Sequence, residues 1–179
     1  MATIKHALVA LVADKSGVLN RIASLFRRRG FNIESIAVGH SEAPNISRVT
    51  IVVDGTTTQV EQVRKQLDKV VDVVKVSDVT GEGAIIRELA LIKVRTTSAN
   101  RSEIMQIVDI FRANIVDVSS DSVTVEVTGD ENKVDSLYKL LCGFGIREIA
   151  RTGSIAMTRG GAGSSIAEQD KLKLKLKSK

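Results

Sequence analysis

The chain has 179 residues, of which 43% are hydrophobic, enough to bury one large core or two small ones and to exclude disorder throughout. Only 3% are aromatic while Val and Ile abound, so the cores must be built from aliphatic and β-branched side chains that suit sheet faces. The net charge of +5 sits mostly in the tail, where six basic and two acidic residues follow from Arg159 onward, so the high pI says little about what the body binds.

Residues 4–13 form an apolar run interrupted by Lys5 and His6, followed by the turn-like Asp14-Lys15-Ser16-Gly17: a strand, then a turn. Val18, Leu19, Ile22, Leu25 and Phe26 repeat at helical spacing, with Arg27-Arg28-Arg29 in the last turn and Gly30 placed to stop the helix. Strands are predicted over 32–38 and 48–54, separated by a loop that holds the only proline, Pro44. Thr58 and Glu61 have capping-box spacing ahead of Val60, Val63, Leu67, Val70 and Val71, which predicts a second helix. A strand over 72–79 then completes the order β-α-β-β-α-β.

After Thr80-Gly81-Glu82-Gly83 the order begins again. A strand is expected over 88–95, and Ile104, Ile107, Val108 and Phe111 mark a helix entered through Asn100 and Glu103. Residues 115–118 and 123–127 flank a compact hairpin. Asp130 is placed to cap a helix carrying Val134, Leu137, Leu140, Leu141 and Phe144, and 145–157 closes the unit as a strand. The pattern implies an α+β chain of two tandem ferredoxin-like (βαββαβ) domains, 1–79 and 84–158. A flexible tail over 159–179 runs from a Gly/Ser stretch into a Lys/Leu alternation that no neighbouring segment helps to bury.

Little in the chain suggests catalysis. Nucleophilic chemistry would draw on Cys142, His6 or His40, which form no constellation. Cys142 falls on an apolar helix face and His6 inside a strand, so packing roles are expected for both. No metal-ligand spacing exists, Gly81-Glu82-Gly83 lacks the third glycine of a dinucleotide fingerprint, and no P-loop is present. The chain is expected to be no enzyme and to hold no cofactor of its own. One cysteine, no apolar run of about 20 residues and no signal-peptide core point to a cytoplasmic protein away from membranes.

A binding site is easier to see. The turn at Asp14 to Gly17 opens onto a helix N-terminus, whose free backbone N–H groups and dipole suit a carboxylate. Gly17 allows close approach, Asp14 offers a counter-charge for an ammonium, and Asn32 and Ile33 add an amide and an apolar wall. Together they suit a small aliphatic amino acid. The plainer alternative is that Asp14 merely caps the helix and Asn32 merely suits the turn after Gly30; spacing alone leaves both open.

The run from Arg29 to Gly39, RGFNIESIAVG, preceded by Gly17-Val18-Leu19-Asn20-Arg21-Ile22 and Leu25-Phe26-Arg27-Arg28, resembles the regulatory (small) subunits of acetohydroxyacid synthase, also called acetolactate synthase. So do Arg101 to Met105, Val108 to Arg112, Val123 to Asp130 and Gly145 to Gly153, and the resemblance spans nearly all of residues 3–158. It implies an N-terminal ACT domain that binds a branched-chain amino acid such as valine at a homodimer interface, and a second domain of related fold. It further implies a catalytic (large) subunit as partner, using thiamine diphosphate, Mg²⁺ and FAD, which this chain activates and makes sensitive to feedback inhibition. The family's effector contacts carry over to Asp14, Gly17, Val18, Leu19, Asn32 and Ile33. Two departures stand out: Ser16 where many members have proline, and Asp14 where some have asparagine.

Two rival readings exist. Ferredoxin-like sheets also serve as RNA platforms, which stack bases on strand aromatics; here Phe26, Phe111, Tyr138 and Phe144 fall in predicted helices and Phe31 just after Gly30, so no nucleic-acid partner is expected. Arg27 to Arg29 is better read as a solvated helix end that complements the dipole. The other rival is an ACT-domain sensor that serves another enzyme or a transcription factor.

Overall fold

Residues 4–13 read as a nearly continuous apolar run, and in the computed structural model, which describes residues 4–81 and 83–160, they form β1 (Ile4–Ala13). Leu8, Ala10 and Val12 are buried on one side of this strand and Ala7, Val9, Leu11 and Ala13 on the other, the signature of a strand covered on both faces. Then come α1 (Val18–Arg29), β2 (Ile33–His40), β3 (Ile46–Gly55), α2 (Thr57–Leu67) and β4 (Val73–Asp78). The antiparallel sheet has the order β2-β3-β1-β4, with β1 and β3 in unbroken register from Ile4 opposite Gly55 to Ala13 opposite Ile46. Ile22 and Phe26 of α1 and Val60, Val63 and Leu67 of α2 pack against Leu8, Ala10, Val49, Ile51 and Val53 to make the first core.

The second half comprises β5 (Ala84–Arg95), α3 (Arg101–Ile110), β6 (Asn114–Val118), β7 (Ser122–Gly129), α4 (Glu131–Cys142) and β8 (Ile146–Arg151). Its strand order, β6-β7-β5-β8, is the same permutation as in the first sheet. Ile104 and Val108 of α3 and Val134, Leu137 and Leu141 of α4 close the second core over Ala90, Ile92, Val94, Val123, Val125 and Val127. The α+β architecture of two tandem ferredoxin-like repeats is therefore as expected. Contacts divide the described residues into two compact units, 4–85 with 155–160, and Ile86–Ser154.

Several details depart from the sequence reading. The second helix is entered at Thr56, not Thr58: the Thr56 hydroxyl accepts from the Gln59 N–H, and the Gln59 side chain accepts from the Thr56 N–H at 3.0 Å. Both pairs have capping-box spacing, but β3 ends at Gly55, so Thr56 is the first residue free to cap. The helix also stops at Leu67, leaving Val70 beside the core and Val71 exposed. Asn100 precedes α3 without capping it; its Oδ1 accepts from the Thr97 N–H at 2.7 Å instead. The strand expected over 145–157 is two, because Gly153, at φ +76, turns the chain between β8 and β9 (Ile155–Thr158). β9 pairs with β5, and its Ala156 carbonyl accepts from Arg48 Nη2 at 2.7 Å. Cys142 is exposed rather than packed, because Leu137 and Leu141 take the inward positions of α4 and leave residue 142 about 100° round the helix. The Gly/Ser and Lys/Leu stretches beyond Gly160 lie outside the described residues.

The core assignment has a direct test. Leu137 is fully buried while Leu140, one turn on, is half exposed. Leu137→Ala should cost about 2–5 kcal/mol and lower the urea unfolding midpoint, whereas Leu140→Ala should stay within about 0.5 kcal/mol of the parent. Equal shifts would mean that the helix phase is wrong.

Candidate functional site

The turn between β1 and α1 is held from below. The Asp14 N–H donates to the Asn45 carbonyl at 2.9 Å and the Ala13 N–H to the Asp72 carbonyl at 2.8 Å, which fixes where the helix starts. Arg21, one turn into α1, forms an ion pair with Asp72 that ties the same end of the helix to the residue before β4. Gly17 is the N-cap of α1 at φ +85, a left-handed conformation that glycine adopts freely, and no side chain caps the helix. Asp14 is thus not a capping residue; its carboxylate lies 3.6 Å from His40 Nδ1, at the end of β2, and is about half exposed. A helix opened by glycine, with no acidic residue in its first turn, leaves N–H groups free for an anion.

Val18 is buried in the first core, so only its backbone faces the opening, whereas Leu19, at 45% exposure, presents an apolar surface beside it. Asp14, Gly17, Val18 and Leu19 are therefore brought together as expected. Asn32 and Ile33 are not with them. They sit at the far end of α1 and at the start of β2, with Asn32 exposed and Ile33 half buried. From Gly17 to Gly30 the helix advances about 20 Å, and from Ile33 to His40 the strand returns about 23 Å. Within one chain, the two halves of the expected site lie at opposite ends of β2.

β2 is an edge strand, paired only with β3, and its other edge is free of sheet partners among the described residues. Ile36 and Val38 lie opposite Ile51 and Val49, on the face that carries the helices, yet remain 42% and 48% exposed. An apolar edge strand of this length is a template for pairing with another strand. An antiparallel pairing of two β2 strands about a two-fold axis would bring the start of one beside the end of the other.

Comparison with known proteins agrees with this architecture. A family model described as AHAS small subunit-like ACT domain matches residues 8–75, and one described as small subunit of acetolactate synthase matches 87–160. The acetolactate synthase small subunit of Bacillus subtilis is 51% identical over 159 residues, covering 88% of this chain and 92% of that protein. The chain belongs to the acetolactate synthase small subunit family. The Mycobacterium bovis small subunit is 48% identical over 168 residues, 94% of this chain and the whole of that protein. The crystal structure of the small subunit from Thermotoga maritima, 45% identical, superposes with a TM-score of 0.82 over 89% of this chain and 99% of that one. The first repeat of this chain is accordingly an ACT domain.

Of the two residues expected to pack, only His6 is buried. His6 is buried in β1, with Nδ1 3.4 Å from Thr80 Oγ1, and the Thr80 hydroxyl also bonds to Asp78, which closes the turn after β4. Cys142 belongs to the other unit. All five aromatic residues lie outside strands, as the sequence pattern implied. No helix among the described residues is long and apolar enough to cross a membrane. What sequence reasoning missed is the place of His40 at this turn: 25 residues separate it from Asp14, and only the β2–β3 register returns it there.

Gly17 separates backbone geometry from packing. A Cβ at Gly17 would meet no atom within 4 Å, so the cost of Gly17→Ala is that of the left-handed backbone, about 1–2 kcal/mol. Gly17→Asn should cost less, since asparagine tolerates this region. Thermal unfolding that ranked alanine above asparagine would contradict the assigned turn.

Proposed function

We propose that this chain is the regulatory partner of an acetolactate synthase catalytic subunit, raising its activity and making it sensitive to a branched-chain amino acid, valine foremost, as feedback in branched-chain amino acid biosynthesis. Thiamine diphosphate, Mg²⁺ and FAD belong in this reading to the catalytic subunit. The effector site is completed only in a homodimer. The observation that carries this is the separation of the two site halves along β2, together with the free apolar edge of that strand.

In the dimer, the effector carboxylate takes the N–H groups at the start of α1, and Asp14 receives the ammonium. Leu19 of the same protomer and the Asn32–Ile33 corner of the second copy close round the aliphatic side chain. Binding then spans two chains and alters how they are held together. That is a means of biasing a bound catalytic subunit between states, for which coupling free energies of about 1–3 kcal/mol are usual.

Gly17→Asp places a carboxylate where the ligand carboxylate should approach, and Asn32→His removes the amide. Losing one charge-assisted hydrogen bond costs about 1.5–3 kcal/mol, so valine affinity should fall at least about tenfold with activation retained. Mixing the two variants is the sharper test. A mixed dimer contains one doubly damaged site and one intact site, so valine binding should return at about a quarter of all sites after random exchange. No recovery on mixing, or a monomeric mass by light scattering at micromolar concentration, would place the site within one chain and defeat the reading.

A further inference from the structure

At the opposite end of α1 from Gly17, a groove of about 320 Å³ opens between that helix and α2. Its floor is apolar: Val63 is buried, and Phe31 is half buried with its ring 3.6 Å from where a Cβ on Gly55 would stand. The amides of Gln62 and Gln66 line it, and three cations, Arg29, Lys65 and Lys69, stand exposed round its rim.

Two of these three cations, Arg29 and Lys69, have no carboxylate partner among the described residues. Lys65, 3.6 Å from Glu61, shares that carboxylate with Arg64, which donates to both of its oxygens at 2.7 Å; Arg64 foremost, and Lys65 with it, draw the Glu61 pKa down to about 2. Arg27 and Arg28 add two more exposed positive charges at the end of α1. A cationic rim in which Arg29 and Lys69 lack a partner, round an apolar floor, has the anatomy of a docking surface, with a hydrophobic centre and a charged edge. The chain's own tail beyond Arg159 carries more basic than acidic residues, so charge makes it an unsuitable occupant.

We propose that this groove receives an acidic segment of the catalytic subunit, with one apolar side chain seated on Phe31 and Val63 and its carboxylates on Arg29, Lys65 and Lys69. The inference rests on the reading of this chain as a regulatory partner. It assigns that partner's contact to a surface about 20 Å along α1 from the effector turn of the same chain.

The test uses the full-length chain and the catalytic subunit from the same source, with association followed by light scattering or surface-bound kinetics over a range of salt. The variant Arg29→Glu, Lys65→Glu, Lys69→Glu should associate at least about tenfold more slowly at low salt, with the gap closing as salt rises. A control of equal charge change in the second unit, Arg87→Glu, Lys93→Glu, Lys139→Glu, should associate like the parent. Circular dichroism establishes that both variants are folded. Equal slowing of both would reduce the effect to net charge and overturn the assignment. So would an unchanged rate for the groove variant. If the parent chain itself fails to bind or activate, the regulatory reading falls and the groove assignment with it; parental binding with an unaltered groove variant defeats the groove alone.

Discussion

The ten-residue ladder between β1 and β3 is the constraint on which the first unit depends. Because β1 is central and buried on both faces, a slip of one residue would turn Leu8, Ala10 and Val12 away from the helices. That register fixes Ala13 opposite Ile46, and with it the hydrogen bond from Asp14 to Asn45 that sets the turn from which α1 departs. The pairing of β2 along the other side of β3 then returns His40 to the same turn and leaves Asn32 at the far end. One ladder thus decides which residues share an end of the sheet.

Edge strands are a hazard that proteins commonly blunt with charge, proline or a short length. β2 has eight residues, with Ile36 and Val38 exposed on the helix-bearing face, and no proline. Its one irregularity, a register shift between Ile33 and Ser35, lies near its start and leaves the rest straight. Glu34, beside that irregularity, is held by Lys5, whose ammonium stands 2.8 Å away and draws the carboxyl below its usual range. The second unit repeats the strand order and so has its own edge strand, β6, with Val116 and Val118 exposed. Two repeats of one fold therefore expose comparable apolar edges, while only the first combines its edge with a glycine-opened helix start: α1 is capped by Gly17, whereas Asn100 precedes α3.

The two ends of α1 have opposite chemical characters for a simple reason. At its start the absence of a capping side chain and of first-turn acids leaves N–H groups and a positive partial charge. At its end Arg27, Arg28 and Arg29 complement the negative end of the dipole, and Arg29 also faces the groove beside α2. A single amphipathic helix, anchored through Ile22 and Phe26, therefore offers an anion-accepting opening at one end and a cationic rim at the other.

Much of this was legible in the sequence. The alternation and helical spacing of Val, Ile and Leu gave the element order of both repeats, Gly30 and Asp130 marked a helix end and a helix start, and the RGFNIESIAVG run pointed to the family. What periodicity could not decide was competition between equivalent local signals. Thr56 with Gln59 and Thr58 with Glu61 have the same spacing, and the end of β3 chose between them. Cys142 looked apolar by its neighbours until the phase of α4 turned it outward, and 145–157 read as one strand until Gly153 bent it. Above all, Asp14, Gly17, Val18, Leu19, Asn32 and Ile33 could be named from the sequence, but their distances could not. A helix and a strand that run out and back leave residues 15 positions apart at opposite ends of a sheet, and only the three-dimensional ladder reveals that separation.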